Sequence, residues 1–217
     1  MALRVLTWNL MHGRAVPPAG HELFDEFAAA LHSWEWDVAL LQEVPPWWPG
    51  RLGYAHRLVL TSRNALLPLR RAIAIRWPDV IKSHGGGCNA ILVRPPATIV
   101  THRVQRLRTV RERRWLHGVQ LHSGVWVGNL HAGATVREAR LAADTMRDWA
   151  SGAPAVLGGD FNLHAVALAG FAWAAGHEPD HILVTGGLWP EPGSAAVLDH
   201  GTLSDHAPVA VTLTPGA

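Results

Sequence analysis

One cysteine, Cys88, stands in a chain of 217 residues. No disulfide can therefore close within it, which fits a reducing compartment. Charged residues make up only 17% of the sequence, yet no run approaches the charge-free apolar length that a membrane-spanning helix needs. The stretch "MALRVLTWNLMHGRAVPPAG" lacks a basic start followed by an unbroken apolar segment, so it does not read as a secretory signal. A soluble, cytoplasmic protein is expected. There is no internal repeat, low-complexity tract or linker, and with 48% hydrophobic residues a single domain over residues 1–217 is the expectation. No HExxH or paired-cysteine pattern marks a zinc site. The formal net charge is only +2, but 14 histidines and a pI near 9.3 mean that mild acidification makes the surface cationic. That permits an anionic partner without requiring one.

Strand and helix patterns alternate along the chain. "LRVLTWNL" reads as a short apolar strand, and "HELFDEFAAALHSW" places Leu23, Phe24, Phe27, Ala28 and Leu31 at helical spacing. "DVALLQEV" is a continuous apolar run, the mark of a strand buried on both faces. Further strands are predicted at residues 72–76, 90–93, 115–122 and 125–130. "TVREARLAADTMRDWA" opens with Thr135 and Glu138, the spacing of a reciprocal capping box, and predicts a helix. "APAVLGGD" is a buried strand, "LHAVALAGFAWAAG" a short helix, and "HILVT" and "APVAVTL" are closing strands. By periodicity alone this is a mixed α/β protein.

The apolar strands repeatedly finish in polar groups: Asn9, Glu43, Asn129 with His131, Asp160 with Asn162, and Asp205 with His206. A rigid scaffold can converge such residues at one end of a sheet. In "VLGGDFNLHA", Gly158 and Gly159 allow a tight turn, and extended geometry puts Asp160 and Asn162 on one side.

Six fragments in order, "TWNL", "LLQEV", "GNLHAG", "GGDFN", "PDHILV" and "LSDHAPV", resemble the endonuclease/exonuclease/phosphatase superfamily over nearly the whole chain, from about residue 3 to residue 213. The resemblance implies an α+β fold: a four-layer αββα sandwich of two mostly antiparallel sheets flanked by helices. It also implies a metal-dependent phosphoesterase. Carboxylate and amide oxygens suit a hard divalent ion, so Mg2+ or Mn2+ is the expected cofactor.

By that resemblance Glu43 is the principal metal ligand, with Asn9 and Asp205 completing or orienting the shell. Asp160 positions and deprotonates the attacking water, and Asn162 holds the water or the phosphate in line. His206, oriented by Asp180, meets a phosphoryl oxygen as an imidazolium, and His131 supplies a second hydrogen bond. An aspartate beside a histidine raises the imidazole pKa, which keeps such a group protonated near neutrality.

Taken singly, each residue has an ordinary role. Asn9 and Asp180 suit turns, Glu43 a solvated loop end, Asp160 a helix cap, and His131 and His206 a surface or a satisfied core. The joint pattern outweighs these roles. The other histidines, His12, His84, His122, His164 and His181 among them, are read as structural. A further tyrosine, glutamate or arginine that many relatives place between the positions of Glu43 and His131 finds no clear match. Tyr54 lies too early, and His84, Asn89 and Arg113 are loose candidates.

Two features bear on substrate. "RVQRLRTVRERR" gathers Arg103, Arg106, Arg108, Arg111, Arg113 and Arg114, either a phosphate-tracking surface or a charge-protected hairpin edge. "PPWWPG" offers Trp47 and Trp48 for stacking on bases or a lipid surface, though tryptophans that cap a core are commoner. The leading reading is a phosphodiesterase acting on nucleic acid, expected to work as a monomer without an obligate protein partner. A phosphomonoesterase or phospholipid-headgroup hydrolase, and a non-catalytic binding protein of the same fold, are the alternatives.

Overall fold

The computed structural model describes residues 2–81, 83–108 and 113–216. Thirteen strands and three α-helices follow one another as β1 (Leu3–Asn9), α1 (Phe24–Ser33), β2 (Val38–Val44), β3 (Ala55–Leu60), α2 (Pro68–Arg76), β4 (Cys88–Val93), β5 (Ile99–Arg108), β6 (Arg114–Leu121) and β7 (Trp126–His131). Then come α3 (Val136–Ala150), β8 (Ala155–Asp160), β9 (Ala172–His177), β10 (Asp180–Val184), β11 (Leu188–Pro190), β12 (Ala196–Val197) and β13 (Val209–Pro215) among the described residues. One sheet has the order β11-β13-β1-β2-β4-β3, with β12 on β13, and the other β5-β6-β7-β8-β10-β9. Both are antiparallel except for the parallel pairs β1–β2 and β7–β8. This is the α+β sandwich.

Three apolar clusters separate the four layers. Helix α1 buries Phe27 and Leu31 against Leu6, Trp8, Leu41 and Leu92 on the outer face of the first sheet, each contributing about 2 kcal/mol of hydrophobic stabilisation. Helix α3 lays Ala139, Ala142, Ala143 and Met146 on Leu116, Leu130 and Leu157 of the second sheet. Small alanines let this helix approach closely. Between the sheets lie Val5, Val38, Val93, Val119, Val127, Val156 and Val184.

The inner faces change character along the strands. In the second sheet Val119, Val127, Val156 and Val184 sit in one cross-strand row; the next row is His117, Asn129, Gly158 and Ile182; the last is Trp115, His131, Asp160 and Asp180. Two residues along a strand separate rows on one face, so a dry valine floor gives way within three steps to titratable groups. The first sheet runs in parallel through Val5, Thr7 and Asn9, and through Val38, Leu40 and Gln42.

Four local readings of the sequence are corrected. Residues 72–76 belong to helix α2, whose Pro68 stands in the first turn, where its missing amide hydrogen costs nothing. The segment "LHAVALAGFAWAAG" is loop followed by β9; Gly170, at φ 79°, takes a turn there that a helix would not contain. Thr135 precedes α3 but its side chain makes no capping hydrogen bond: the Glu138 amide donates to the Thr135 carbonyl instead, and the Glu138 carboxylate accepts from the Gly133 amide and from Arg108. Strands β3 and β5, absent from the sequence reading, carry the mixed, half-exposed residues of sheet edges.

Candidate active site

The end of the sandwich opposite the valine floor gathers groups from both sheets. On β8, Gly159 has φ 138°, and a Cβ there would collide with the Leu130 carbonyl oxygen of β7. The glycine lets β7 and β8 close together and present His131 and Asp160 side by side. His131 Nε2 is 3.3 Å from Asp160 Oδ2. From the other sheet, Asn9 Nδ2 donates to the same oxygen at 2.9 Å. The remaining oxygen, Oδ1, accepts from the Asn162 backbone amide at 2.9 Å. Asn162, at φ 51°, turns the chain back and donates its side-chain amide to the Ala132 carbonyl at 2.9 Å. Burial raises the Asp160 pKa, opposed by the charge of His206, these hydrogen bonds and the charge of Arg114.

Asp180 lies opposite Asp160 in the β8–β10 register and is 1% exposed. Its Oδ2 is 2.6 Å from His206 Nδ1. Burial pushes the Asp180 carboxyl up to about 6, against the stabilising effect of His206. Burial also disfavours the imidazolium, but the hydrogen bond and charge of Asp180, with Asp160 and Asp205 behind, raise His206 to about 9. At neutral pH the pair is therefore ionic. Its loop is pinned by Ser204, whose hydroxyl donates to the Asn9 carbonyl at 2.6 Å and accepts from the His206 amide at 3.1 Å.

Across the cleft, β2 ends in a register irregularity against β4, and Glu43 takes φ 50°. One carboxylate oxygen is 3.3 Å from His12 Nε2, the other 4.0 Å from His131 Nε2. Asn129 lies one row below His131. Its amide donates to the Leu41 and Ala90 carbonyls, both at 2.9 Å, and its oxygen accepts from Gln42 at 2.8 Å. Carbonyls at the irregularity are thus satisfied from the opposite sheet. Asn129 is a tie between sheets rather than a strand-end site residue.

His131, Asp160, Asn162, Asp180, His206, Asn9 and Glu43 converge. Asp205 is placed at the rim, with its side chain 47% exposed and Oδ1 3.9 Å from His206 Nε2. Asn9 turns its oxygen to the Met11 amide at 3.0 Å and its nitrogen to Asp160. His12, read from sequence as structural, belongs beside Glu43. Ser204 also escaped the sequence reading, since a lone serine before Asp205 carries no distinguishing signal. Of the loose candidates, Asn89 is fully buried with neither amide atom hydrogen-bonded among the described residues.

The arginine run divides. Arg106 lies 4.7 Å over Trp115, Arg103 lies 5.3 Å over Trp126, and Arg108 pairs with Glu138; Arg111 lies outside the described residues. Trp48 is buried in the core, and both Trp47 and Trp48 donate to Glu22, which removes Trp48 from any stacking role.

The donor set fits a hard divalent ion. Among the described residues no three His, Cys, Asp or Glu side chains are disposed as a closed protein cage. Mg2+ ordinarily takes one or two carboxylates, with waters and substrate phosphate filling the rest. Glu43, projected into the cleft with oxygens toward two imidazoles, offers that kind of site.

A two-sheet sandwich with carboxylates, amides and a charged Asp–His pair at one end defines a class of phosphoester-cleaving folds. The endonuclease/exonuclease/phosphatase family matches residues 6–206, and the chain belongs to that family, whose members are generally hydrolytic, divalent-metal-dependent phosphoesterases. A search of curated proteins found no match. Solved structures with the same fold include an endonuclease/exonuclease/phosphatase from Beutenbergia cavernae (20% identity, TM-score 0.68, covering 99% of this chain and 72% of that one). Another is the mannosyl-6-phosphatase of Bacteroides thetaiotaomicron (17%, 0.70, 98% and 99%). A third is D. rerio TDP2 in complex with a single-strand DNA product (14%, 0.66, 98% and 99%). Among the described residues no helix is long and apolar enough to cross a membrane.

Proposed function

We propose that this chain is a divalent-metal-dependent phosphodiester hydrolase that acts on nucleic acid by in-line attack of water. The observation that carries the reading is Asp160. It is a buried carboxylate held by Asn9, His131 and the Asn162 amide, directly opposite Asp180 of the Asp180–His206 pair in the β8–β10 register and across the cleft from Glu43.

Asp160 accepts the proton of the attacking water; burial makes it a stronger base than a surface aspartate while three donors fix its aim. His206 presents Nε2–H to a non-bridging phosphoryl oxygen, and Asp180 keeps that imidazole charged and oriented. His131 offers a further donor near the scissile bond. Glu43 would hold Mg2+ or Mn2+, with Asp205 at the rim and Asn9 orienting the shell through Asp160. A bound divalent ion neutralises charge on the phosphoryl oxygens and on the departing alkoxide.

Nucleic acid as substrate is supported by Arg106 stacked on Trp115, in the same cross-strand row as His131, and by Arg114, whose charge reaches Asp160. Guanidiniums in this position suit phosphates flanking the one attacked. A small-phosphate monoesterase is the second reading, supported by the end-to-end likeness to the mannosyl-6-phosphatase.

Purified protein with Mg2+ or Mn2+, assayed on single- and double-stranded DNA, abasic DNA, RNA, bis(p-nitrophenyl) phosphate and sugar and inositol phosphates, tests the reading. Turnover of a nucleic acid, abolished by EDTA and by Asp160→Asn or His206→Ala, is expected. Turnover of sugar phosphates alone would favour the second reading. No turnover of any phosphate ester would leave a binding protein.

A further inference from the structure

Helix α2 buries none of its residues. In the segment around it Leu66, Leu67, Leu69, Trp77, Val80 and Ile81 are all exposed, Leu69 at 73%, Val80 at 71% and Trp77 at 53%. Isolated apolar residues on a surface are ordinary, but six large exposed ones within sixteen positions are a local excess. Interleaved with them are Arg63, Arg70, Arg71 and Arg76, against a single carboxylate, Asp79, between residues 61 and 81. That carboxylate is already engaged, by Arg14 at 3.0 Å and by the Gly20 amide at 2.8 Å. The surface presents large aliphatic side chains in a field of positive charge.

We infer that the α2 segment docks the protein on an anionic lipid bilayer surface. A second copy of the chain would bring two sets of arginines face to face, which like-charge repulsion opposes. Nucleic acid offers phosphates to the arginines, but leucine, valine and isoleucine have no ring with which to stack on bases. An anionic bilayer satisfies both components: the acyl boundary takes the aliphatic side chains and Trp77, and the headgroups take the guanidiniums. The segment is not adrift from the body of the protein. The Arg14–Asp79 pair moors it to the loop after β1, Arg71 lies 5.4 Å over the Trp47 ring, and Ala74, Pro78 and Ile81 line one pocket with His12. A docked bilayer therefore lies beside the mouth of the cleft, because His12 is the neighbour of Glu43.

Vesicle flotation tests this without recourse to activity, so its outcome is separate from that of the hydrolase reading. The chain is expected to float with vesicles of phosphatidylcholine and phosphatidylserine, to float weakly with phosphatidylcholine alone, and to release as salt is raised. Combined Leu69→Glu, Trp77→Ala and Val80→Glu should abolish flotation. Arg63→Ala with Arg70→Ala should weaken it roughly thirty-fold. Thermal unfolding and turnover of bis(p-nitrophenyl) phosphate should match the parent chain in both variants, since all five positions are exposed or half-exposed and outside the cleft. Equal flotation with neutral and anionic vesicles, or none with either, would overturn the proposal. So would a concentration-dependent dimer that the apolar substitutions dissolve while vesicle binding is absent.

Discussion

Asp180 Oδ2 and His206 Nδ1, 26 positions apart in the chain, meet at 2.6 Å in the wall of the cleft. The contact sets the pH range of the imidazolium. With His206 raised to about 9, a step that needs the charged ring runs at neutral pH and fails as pH rises through that value. In Asp180→Asn the favourable partner charge is gone while burial still opposes the imidazolium. The alkaline limb of kcat/KM should move to lower pH, and the rate at its optimum should fall roughly a hundred- to ten-thousand-fold. A pH–rate profile at saturating Mn2+ measures both; an alkaline limb that stays in place would break the link between the two residues.

Glu43→Gln keeps the shape of the side chain and removes its charge. Mn2+ binding, followed by calorimetry or by electron paramagnetic resonance of free Mn2+, should weaken by at least roughly tenfold. The circular dichroism spectrum should be unchanged. Undiminished affinity would place the ion elsewhere in the cleft.

Gly159→Ala should be among the most damaging single-methyl additions in the chain. The new Cβ meets the Leu130 carbonyl in a backbone conformation that L-residues rarely adopt, and relief requires β7 and β8 to part. A loss of about 3 kcal/mol or more in urea unfolding is expected, with activity lost even where the variant remains folded.

Asn129→Ala removes three hydrogen bonds between the sheets and leaves the Leu41 and Ala90 carbonyls and the Gln42 amide to find other partners. The expected cost is about 2–4 kcal/mol from denaturant titration. Because the same carbonyls flank Glu43, Mn2+ affinity should fall with stability, whereas a purely structural role would leave the affinity of the folded fraction unchanged.

His117 is wholly buried between the sheets, and burial, with the charge of His102 adding to it, depresses its pKa to about 3. A lowered histidine pKa means that the unfolded chain takes up the proton first. Its contribution to stability is complete above about 6.5 and declines as pH falls toward 3, with a slope of about 1.4 kcal/mol per pH unit for one proton. His117→Gln should flatten the acid side of the stability curve measured by urea midpoints between neutral and mildly acid pH. A slope that persists unchanged would assign the acid sensitivity to other groups.

Much of this geometry was legible in the sequence, and what was not has physical causes. The interior strands β1, β2, β7 and β8 are buried on both faces, so their apolar runs show plainly. Edge strands β3 and β5 half-face water and carry His56, Arg57, Arg103 and Arg106 where a central strand would carry valine. Residues 72–76 are apolar except for Arg76, a run too short to tell a strand from a helix by periodicity, and Pro68 sets a helical first turn ahead of them. Thr135 and Glu138 have capping-box spacing, but Arg108, distant in sequence, captures the glutamate. The residues at the strand ends were readable because alternation fixes the face on which they lie. His12 was not, since its approach to Glu43 depends on left-handed backbone at Met11 and His12, which local sequence does not announce.

Glu43 and Asn9 come from one sheet, Asp160, Asp180 and His131 from the other, and the two halves share a dry floor. A phosphate lodged in the cleft would therefore act as a staple across both halves, harder to slide apart when loaded than when empty. Substrate recognition and mechanical cohesion of the sandwich are, in this arrangement, two readings of the same contacts.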